Sequence, residues 1–423
     1  MYRPHRSRRN PLGSITDEPA CQHGPDGGFP ASGVLAAHGH ATREGPPRRT
    51  VGLRQGTLEN LELNPLRNPA HDFWEGKRVL LTGHTGFKGS WLTCWLHRMG
   101  ANVHGIALPP QTSPDLFTLA GVKNLCTSHL CDIRDHENFS AIFKKAAPEI
   151  VLHMAAQPLV RASYLDPLTT FSTNVQGTAH VLEAARSVGS VRAAVVITTD
   201  KVYRNLKNKR PHVESDELGG FDPYSASKAA AEFVVSSYRD SFLAEKGTAV
   251  ASARAGNVIG GGDWSSDRLL PDAVRAWESN HKLVVRRPDA VRPWQHVLDP
   301  LAGYLALAES IWEKPSLSGS YNFGPNPDGT STVHDVVEMA RSFFEKGETV
   351  WEKEESGPAE TGFLSLDVSK ARRSLGVVPH WSLGESVRRT MEWYRSLREG
   401  VDAQVLCGDD IVDFESCVTR RPK

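Results

Sequence analysis

The chain has 423 residues, enough for one large or two ordinary domains, and its 49 basic residues balance 49 acidic ones. Balanced charge gives no field that favours nucleic acid or an anionic membrane, so neither is expected as a partner. Cys21, Cys94, Cys126, Cys131, Cys407 and Cys417 show no Cys-x-x-Cys spacing. This argues against a zinc site or a disulfide framework, predicts no metal, and suits a reducing cytoplasm. No apolar run approaches the roughly 20 residues that span a bilayer, and the N-terminus has no signal-like apolar stretch, so secretion is not expected.

Residues 1 to about 70 are rich in Pro, Gly, Arg and His and show no sustained apolar period. Such a segment cannot bury enough surface to offset its chain entropy and is expected to be disordered. Its cluster Arg3, Arg6, Arg8 and Arg9 reads as a solvated tail, or an over-extended gene start, more readily than as a targeting or nucleic-acid arm.

From Phe73 the pattern changes. Strand-like runs at Arg78–Thr82, Val103–Leu108, Ile150–Ala156 and Ala194–Thr199 alternate with helix-like segments near Gly89–Met99, Arg134–Ala147 and Leu168–Val188. Short apolar runs separated by amphipathic stretches predict an α/β fold, a doubly wound parallel sheet covered by helices. A long helix is expected at Tyr224–Glu245, with Ala229, Phe233, Val234 and Phe242 at its apolar positions. After the run Ala249–Ile259 the texture becomes loopier, and helices near Thr332–Glu345 and Ser382–Leu397 close the chain. The expected division is a dinucleotide-binding domain over 71–256 and a smaller, mainly substrate-binding domain over 257–415, some of whose segments return to the sheet. Residues 416–423 read as a tail.

Gly83-x-x-Gly86-x-x-Gly89 follows a strand and opens a helix, where glycines allow a tight turn and backbone N–H groups can hold a pyrophosphate. The acidic residue that usually follows about 20 positions on is absent, so the motif does not itself choose NAD over NADP. Asp132 stands where the next strand should end and could reach an adenosine; it could equally cap the helix near Arg134. Ala155-Ala156-Gln157 ends the fourth strand at the sheet's ligand-binding edge. Arg161, Ser163 and Tyr164 follow on a predicted loop as candidate sugar or phosphate contacts. Tyr224 and Lys228, four residues apart, share a helix face, and an ammonium beside a phenol is expected to lower the Tyr pKa from about 10. Thr199 closes a neighbouring strand and can donate to the same substrate oxygen. Asn257, Arg268, Arg286, Arg287 and Arg292, around Trp264 and Trp294, suggest a nucleotide-sugar pocket over a set of surface ion pairs.

With Thr82-Gly83-His84-Thr85-Gly86-Phe87-Lys88-Gly89, Ala155-Ala156-Gln157, Thr199-Asp200-Lys201-Val202-Tyr203, Arg254-Ala255-Gly256-Asn257 and Arg292-Pro293-Trp294-Gln295-His296, the chain from about Phe73 to Phe414 resembles the extended short-chain dehydrogenase/reductases. Within them it is most similar to the CDP-glucose 4,6-dehydratases; the dTDP-glucose enzymes carry Glu where this chain has Lys201. The resemblance implies NAD held by Gly83, Thr85, Gly86, Phe87, Gly89, Asp132, Ile133, Ala155, Ala156, Gln157, Asn174, Tyr224 and Lys228. It implies CDP-glucose as substrate, held by residues including Arg161, Ser163, Tyr164, Asn257, Arg268 and Arg292. It also implies a homo-oligomer, a dimer or a dimer of dimers, paired through the helices Leu168–Val188 and Tyr224–Glu245. Catalysis would fall to Thr199, Asp200, Lys201, Tyr224 and Lys228. Tyr224 would take the C4 hydroxyl proton while Asp200, its pKa raised by burial, protonates the departing 6-hydroxyl. Lys201 would take the C5 proton, which requires desolvation to lower its pKa from about 10.4; staying charged to stabilise the enolate is the alternative. A 4-epimerase, a dTDP- or GDP-sugar dehydratase and a non-catalytic nucleotide-binding regulator are the competing readings.

Overall fold

In the computed structural model, the described residues are 68–204, 210–325, 330–352 and 364–419, all within one compact unit spanning 60–423. The expected disordered extension lies outside them except for residues 68–70. There the Ala70 N–H bonds the Glu309 carboxylate at 2.9 Å.

Seven short parallel strands form the central sheet, apolar in its interior, where both faces are covered. Their spatial order is Thr127–Leu130, Asn102–Ala107, Arg78–Thr82, Ile150–His153, Ala193–Ile197, Ala249–Ala255 and Gly319–Phe323. The chain winds outward from Arg78–Thr82 to one side, then crosses to Ile150–His153 and winds to the other. The carboxyl ends of these two central strands therefore part and leave a crevice where ligands bind in such sheets. Gly319–Phe323 and the buried helix Leu298–Glu313 are the later segments that join this layer. The final helix, Ala403–Thr419, continues through the expected start of the tail at 416.

Local boundaries differ from expectation for identifiable reasons. The first expected helix is found as Phe87–Arg98 and begins inside the glycine turn, two residues early. Asp135, not Asp132, caps the helix His136–Ala146 by accepting from Asn138 N. The expected helix Leu168–Val188 is found as one continuous run, Pro167–Phe171, a widened turn at Ser172–Gln176, and Gly177–Ser187. Gly177 packs on Ile133, where an added Cβ would come within 2.5 Å of the Ile133 side chain. The long helix Pro223–Tyr238 starts with Asp222 as its cap and buries Tyr224, Lys228 and Glu232 along one face. Phe233 and Phe242, expected to be core positions, are instead exposed.

That buried face is held by an ionic network. Glu232 accepts hydrogen bonds from Thr198, from Ser252 at 2.7 Å and from Arg254 at 2.8 Å. Arg254 also donates to the Tyr203 hydroxyl at 2.9 Å, and Tyr203 donates to Asn322 Oδ1 at 2.6 Å. Burial pushes the Glu232 pKa up, but Arg254 and the two hydroxyls outweigh it and leave it lowered. A lowered carboxylate pKa stabilises the fold above the unfolded value and loses that contribution as pH falls through the folded one. Glu232→Ala strands the Arg254 cation, and equilibrium chemical denaturation should show a loss of about 3–5 kcal/mol. A loss no larger than that of a surface substitution would contradict this role.

Candidate active site

The carboxyl ends of the strands open into a cleft of about 760 Å³. One wall is the glycine turn. Gly83 has φ +81° and lies so close to the strand Ile150–His153 that a Cβ would sit 2.9 Å from Ala155 N. A Cβ on Gly89 would sit 2.0 Å from the Gly83 carbonyl oxygen. Both positions therefore require glycine, and the backbone stays thin where the following helix presents its N-terminus. No acidic residue occupies that helix's first turn. A bare helix N-terminus with free N–H groups fits a pyrophosphate, so the residues present suit a dinucleotide. Thr82 braces the crevice, its Oγ1 accepting from the Met154 and Ala155 N–H groups at 3.0 Å each. Asp132 lines the far end and is paired with Arg134 at 2.6 Å.

The opposite wall carries Thr199, Asp200 and Lys201 on a one-turn helix, with Tyr224 and Lys228 on the long helix beside it. Lys228 donates to the Ile197 carbonyl at 3.0 Å, and burial pulls its pKa down to about 8 against the upward pull of Glu232. Burial also pushes Tyr224 up to about 12. The neighbouring Asp200 carboxylate adds to this, while the Thr199 hydrogen bond and Arg268 oppose it. This corrects the expectation of a lowered phenol: desolvation outweighs the cations around it. The desolvation expected of Lys201 is likewise not found, since its side chain is 30% exposed and pairs with Asp200 Oδ1 at 3.6 Å. Asp200 is fully buried, and its Oδ2 has no hydrogen-bond partner among the described residues.

Of the other expected contacts, Phe87, Thr85, Gly86, Ile133, Ala156, Arg161, Asn257, Arg268 and Arg292 all line the cleft. Arg161 pairs with Asp267 at 2.8 Å and Arg268 with Asp263 at 2.7 Å. Ser163 and Tyr164 do not line it. Residues Val160–Leu165 form a helix rather than a loop, which spends the Ser163 hydroxyl on the Val160 carbonyl at 2.6 Å and turns Tyr164 outward. Gln157 and Asn174 also stand behind the wall. The Gln157 N–H bonds Asn174 Oδ1 at 2.8 Å, and Asn174 Nδ2 donates to Ser227 Oγ at 2.9 Å, so they brace the Tyr224 helix.

The sequence reading missed Lys88 and Tyr304. Lys88 lies within the glycine motif, and its Nζ donates to the Tyr304 hydroxyl at 2.9 Å. Burial, then Arg268 and Lys228, pull its pKa down to about 7, with Asp200 opposing. The variable positions of a glycine motif give no local signal for this, because Tyr304 is 216 residues away.

The sequence model of the GDP-mannose 4,6 dehydratase family matches residues 80–390. CDP-glucose 4,6-dehydratase of Salmonella typhimurium is 45% identical over 82% of this chain and 99% of that protein. dTDP-glucose 4,6-dehydratase 1 of Escherichia coli K12 is 27% identical over 77% of this chain and 94% of its own. Among solved structures, a Thermus thermophilus UDP-glucose 4-epimerase complex with NAD superposes with a TM-score of 0.65 at 25% identity, covering 75% of this chain and 98% of that one.

Removing the Asp200 charge should make Tyr224 easier to ionise. Ultraviolet difference titration of Asp200→Asn against the parent should shift the Tyr224 phenolate transition to lower pH; an unchanged or higher midpoint would contradict the electrostatics described.

Proposed function

The chain belongs to the GDP-mannose 4,6 dehydratase family, within the extended short-chain dehydrogenase/reductases, and we propose that it converts CDP-glucose to CDP-4-keto-6-deoxyglucose. The observation that carries this reading is the Asp200-Lys201 pair placed directly after Thr199 in the cleft that holds Tyr224. A 4-epimerase has no need of a second acid/base pair there. The 45% identical Salmonella relative, whose name gives this activity, supports the choice of nucleotide. The NAD complex of the Thermus epimerase supports the choice of dinucleotide.

In this reading the dinucleotide, when bound, supplies oxidation at C4 and reduction at C6, so the overall reaction is redox-neutral. Gly83, Gly86 and Gly89 would let it approach the backbone, and Lys228 would help hold it. Tyr224 receives the C4 hydroxyl proton. The resulting ketone acidifies the C5 proton, and Lys201 would act there as base or as electrostatic stabiliser. Asp200 protonates the departing 6-hydroxyl. Arg161, Asn257, Arg268 and Arg292 hold the nucleoside diphosphate.

The exposed side chains Leu165, Leu168 and Phe233 form an apolar surface on the helices Val160–Leu165, Pro167–Phe171 and Pro223–Tyr238. A second copy of this chain is its proposed occupant. Sedimentation should show a dimer or larger for the parent and a monomer for Leu168→Glu with Phe233→Glu; a monomeric parent would end this proposal.

The activity is tested by adding CDP-glucose to purified protein without added NAD. The 4-keto-6-deoxy product is expected with CDP-glucose in preference to the dTDP-, UDP- and GDP-sugars, and a C4 epimer as product would overturn the dehydratase reading. For Lys201→Met, kcat should fall by about 10²–10⁴ if Lys201 is the base. Solvent deuterium entering C5 undiminished in that variant would exclude the base role and leave the electrostatic one.

A further inference from the structure

Six carboxylates line the cleft, and three of them have both oxygens engaged. Asp132 is held by Arg134, Asp263 by Ser265 N and Arg268, and Asp115 by Thr118. Asp200 belongs to the reacting end with Tyr224, and Asp267 is exposed and pairs with Arg161 at 2.8 Å. This leaves Asp272, half-buried on the helix Leu269–Glu278. Arg275 donates to Asp272 Oδ1, while Oδ2 makes no hydrogen bond among the described residues.

Arg275 is itself fixed, donating to the Trp264 carbonyl at 2.8 Å and the Ser265 carbonyl at 3.2 Å. The Asp272 carboxylate is thus anchored through one oxygen, and the other is left to accept. Its helix packs on the strand Lys282–Val285, whose buried Leu283 and Val285 also line the cleft, as does Trp264. Such apolar and aromatic groups suit the flat face of a base. Asp272 N bonds the Arg268 carbonyl at 2.9 Å, so Arg268, a candidate diphosphate contact, stands one turn earlier on the same helix face. Arg268 in turn lies near enough to Tyr224 to oppose its upward shift. The order along this wall is phenol, guanidinium, carboxylate, which matches hexose, diphosphate and base in a nucleotide sugar.

We propose that Asp272 selects the base of the nucleotide sugar, its Oδ2 accepting a hydrogen bond from the exocyclic amine of cytosine. The proposal rests on the CDP-glucose reading and names the group that enforces the choice of nucleotide. Cytosine presents that amine as a donor at C4, and a carboxylate can accept from it. Uracil and thymine present a carbonyl at the same position, so two acceptors would meet. Burial pushes the Asp272 pKa up, with Arg275 opposing. A partly desolvated carboxylate gains from a donor and is destabilised by a second acceptor, so one group both attracts the right base and repels the wrong one.

The test exchanges the acceptor for a donor. In Asp272→Asn, the bond from Arg275 keeps the remaining oxygen in place, so the amide nitrogen stands where Oδ2 was. Affinities for CDP and UDP are measured by titration calorimetry on the full-length protein with NAD present. The parent should prefer CDP, and Asp272→Asn should shift the CDP-to-UDP ratio toward UDP by roughly tenfold or more. Asp272→Leu, which offers neither acceptor nor donor, should lose the preference without gaining affinity for UDP. With CDP-glucose as substrate, Asp272→Asn should raise KM, because the diphosphate separates the base from the reacting hexose. An Asp272→Asn protein that keeps the parent's ratio, or whose loss falls on kcat at unchanged KM, would overturn the proposal. Where a variant misfolds, the parent is titrated with the CDP analogue that has hydrogen in place of the amine. That analogue should bind roughly tenfold more weakly than CDP, and equal binding would overturn the assignment. A parent that binds UDP or dTDP more tightly than CDP fails the nucleotide reading itself; a CDP preference that survives Asp272→Asn fails this proposal alone.

Discussion

A carboxylate sealed beneath the sheet edge determines where the reacting groups stand. Glu232 has both oxygens occupied: Oε1 accepts from Thr198, and Oε2 accepts from Ser252 and Arg254. Such a charge is tolerable in the interior only when its partners are complete, since removing one leaves another unpaired. Thr198 precedes Thr199 on the strand end, and Glu232 lies one helical turn beyond Lys228. The same carboxylate therefore fixes the strand end carrying Thr199 and the rotation of the helix carrying Tyr224 and Lys228. With spacings of four, Tyr224, Lys228 and Glu232 share one face. Turning the phenol away from the cleft would also drag the buried ion pair apart.

Burial then sets the charge state of what that frame presents. It pushes Tyr224 up to about 12 and pulls Lys228 and Lys88 down to about 8 and about 7. All three shifts favour the neutral form, as desolvation requires. Charge persists where an opposite partner is close, at Arg268 beside Asp263 and at Arg254 beside Glu232.

The strands Arg78–Thr82, Ile150–His153 and Ala193–Ile197 were legible in sequence because each is a short apolar run, whereas Thr127–Leu130 and Gly319–Phe323 carry no such run. The glycine turn was legible because its three glycines are regularly spaced between a strand and a helix, and Gly89 is required by the Gly83 carbonyl only six residues before it. Contacts between distant segments were not. Nothing near Arg254 announces Glu232, although continuing the Tyr224–Lys228 spacing by one more turn would have reached it. Lys88 was passed over because its partner Tyr304 belongs to a later helix. Ser163 and Tyr164 were misplaced for a different reason: residues Val160–Leu165 have no polar cap at their start, and their local sequence does not distinguish a helix from a loop. Phe233 and Phe242 misled because an apolar residue on a helix faces either a core or another molecule, and periodicity does not tell these apart.

The same frame explains how one architecture can serve different chemistries. The turn Asp200–Val202 is capped by Thr199, whose side chain accepts from Lys201 N at 3.4 Å while donating to Asp200. Its two ends are anchored, Thr198 to Glu232 on one side and Tyr203 to Arg254 and Asn322 on the other. Between those anchors the Lys201 side chain reaches into the cleft without packing into the core, being 30% exposed. A substitution there changes the group offered to the substrate while leaving the supporting hydrogen bonds in place. Asp200 is constrained differently, because Gly256 presses against its carboxylate and Thr199 depends on it as an acceptor. The turn thus joins a replaceable position to a fixed one. Variation in the group offered to the substrate can accumulate at Lys201, while Asp200 is held by the fold itself.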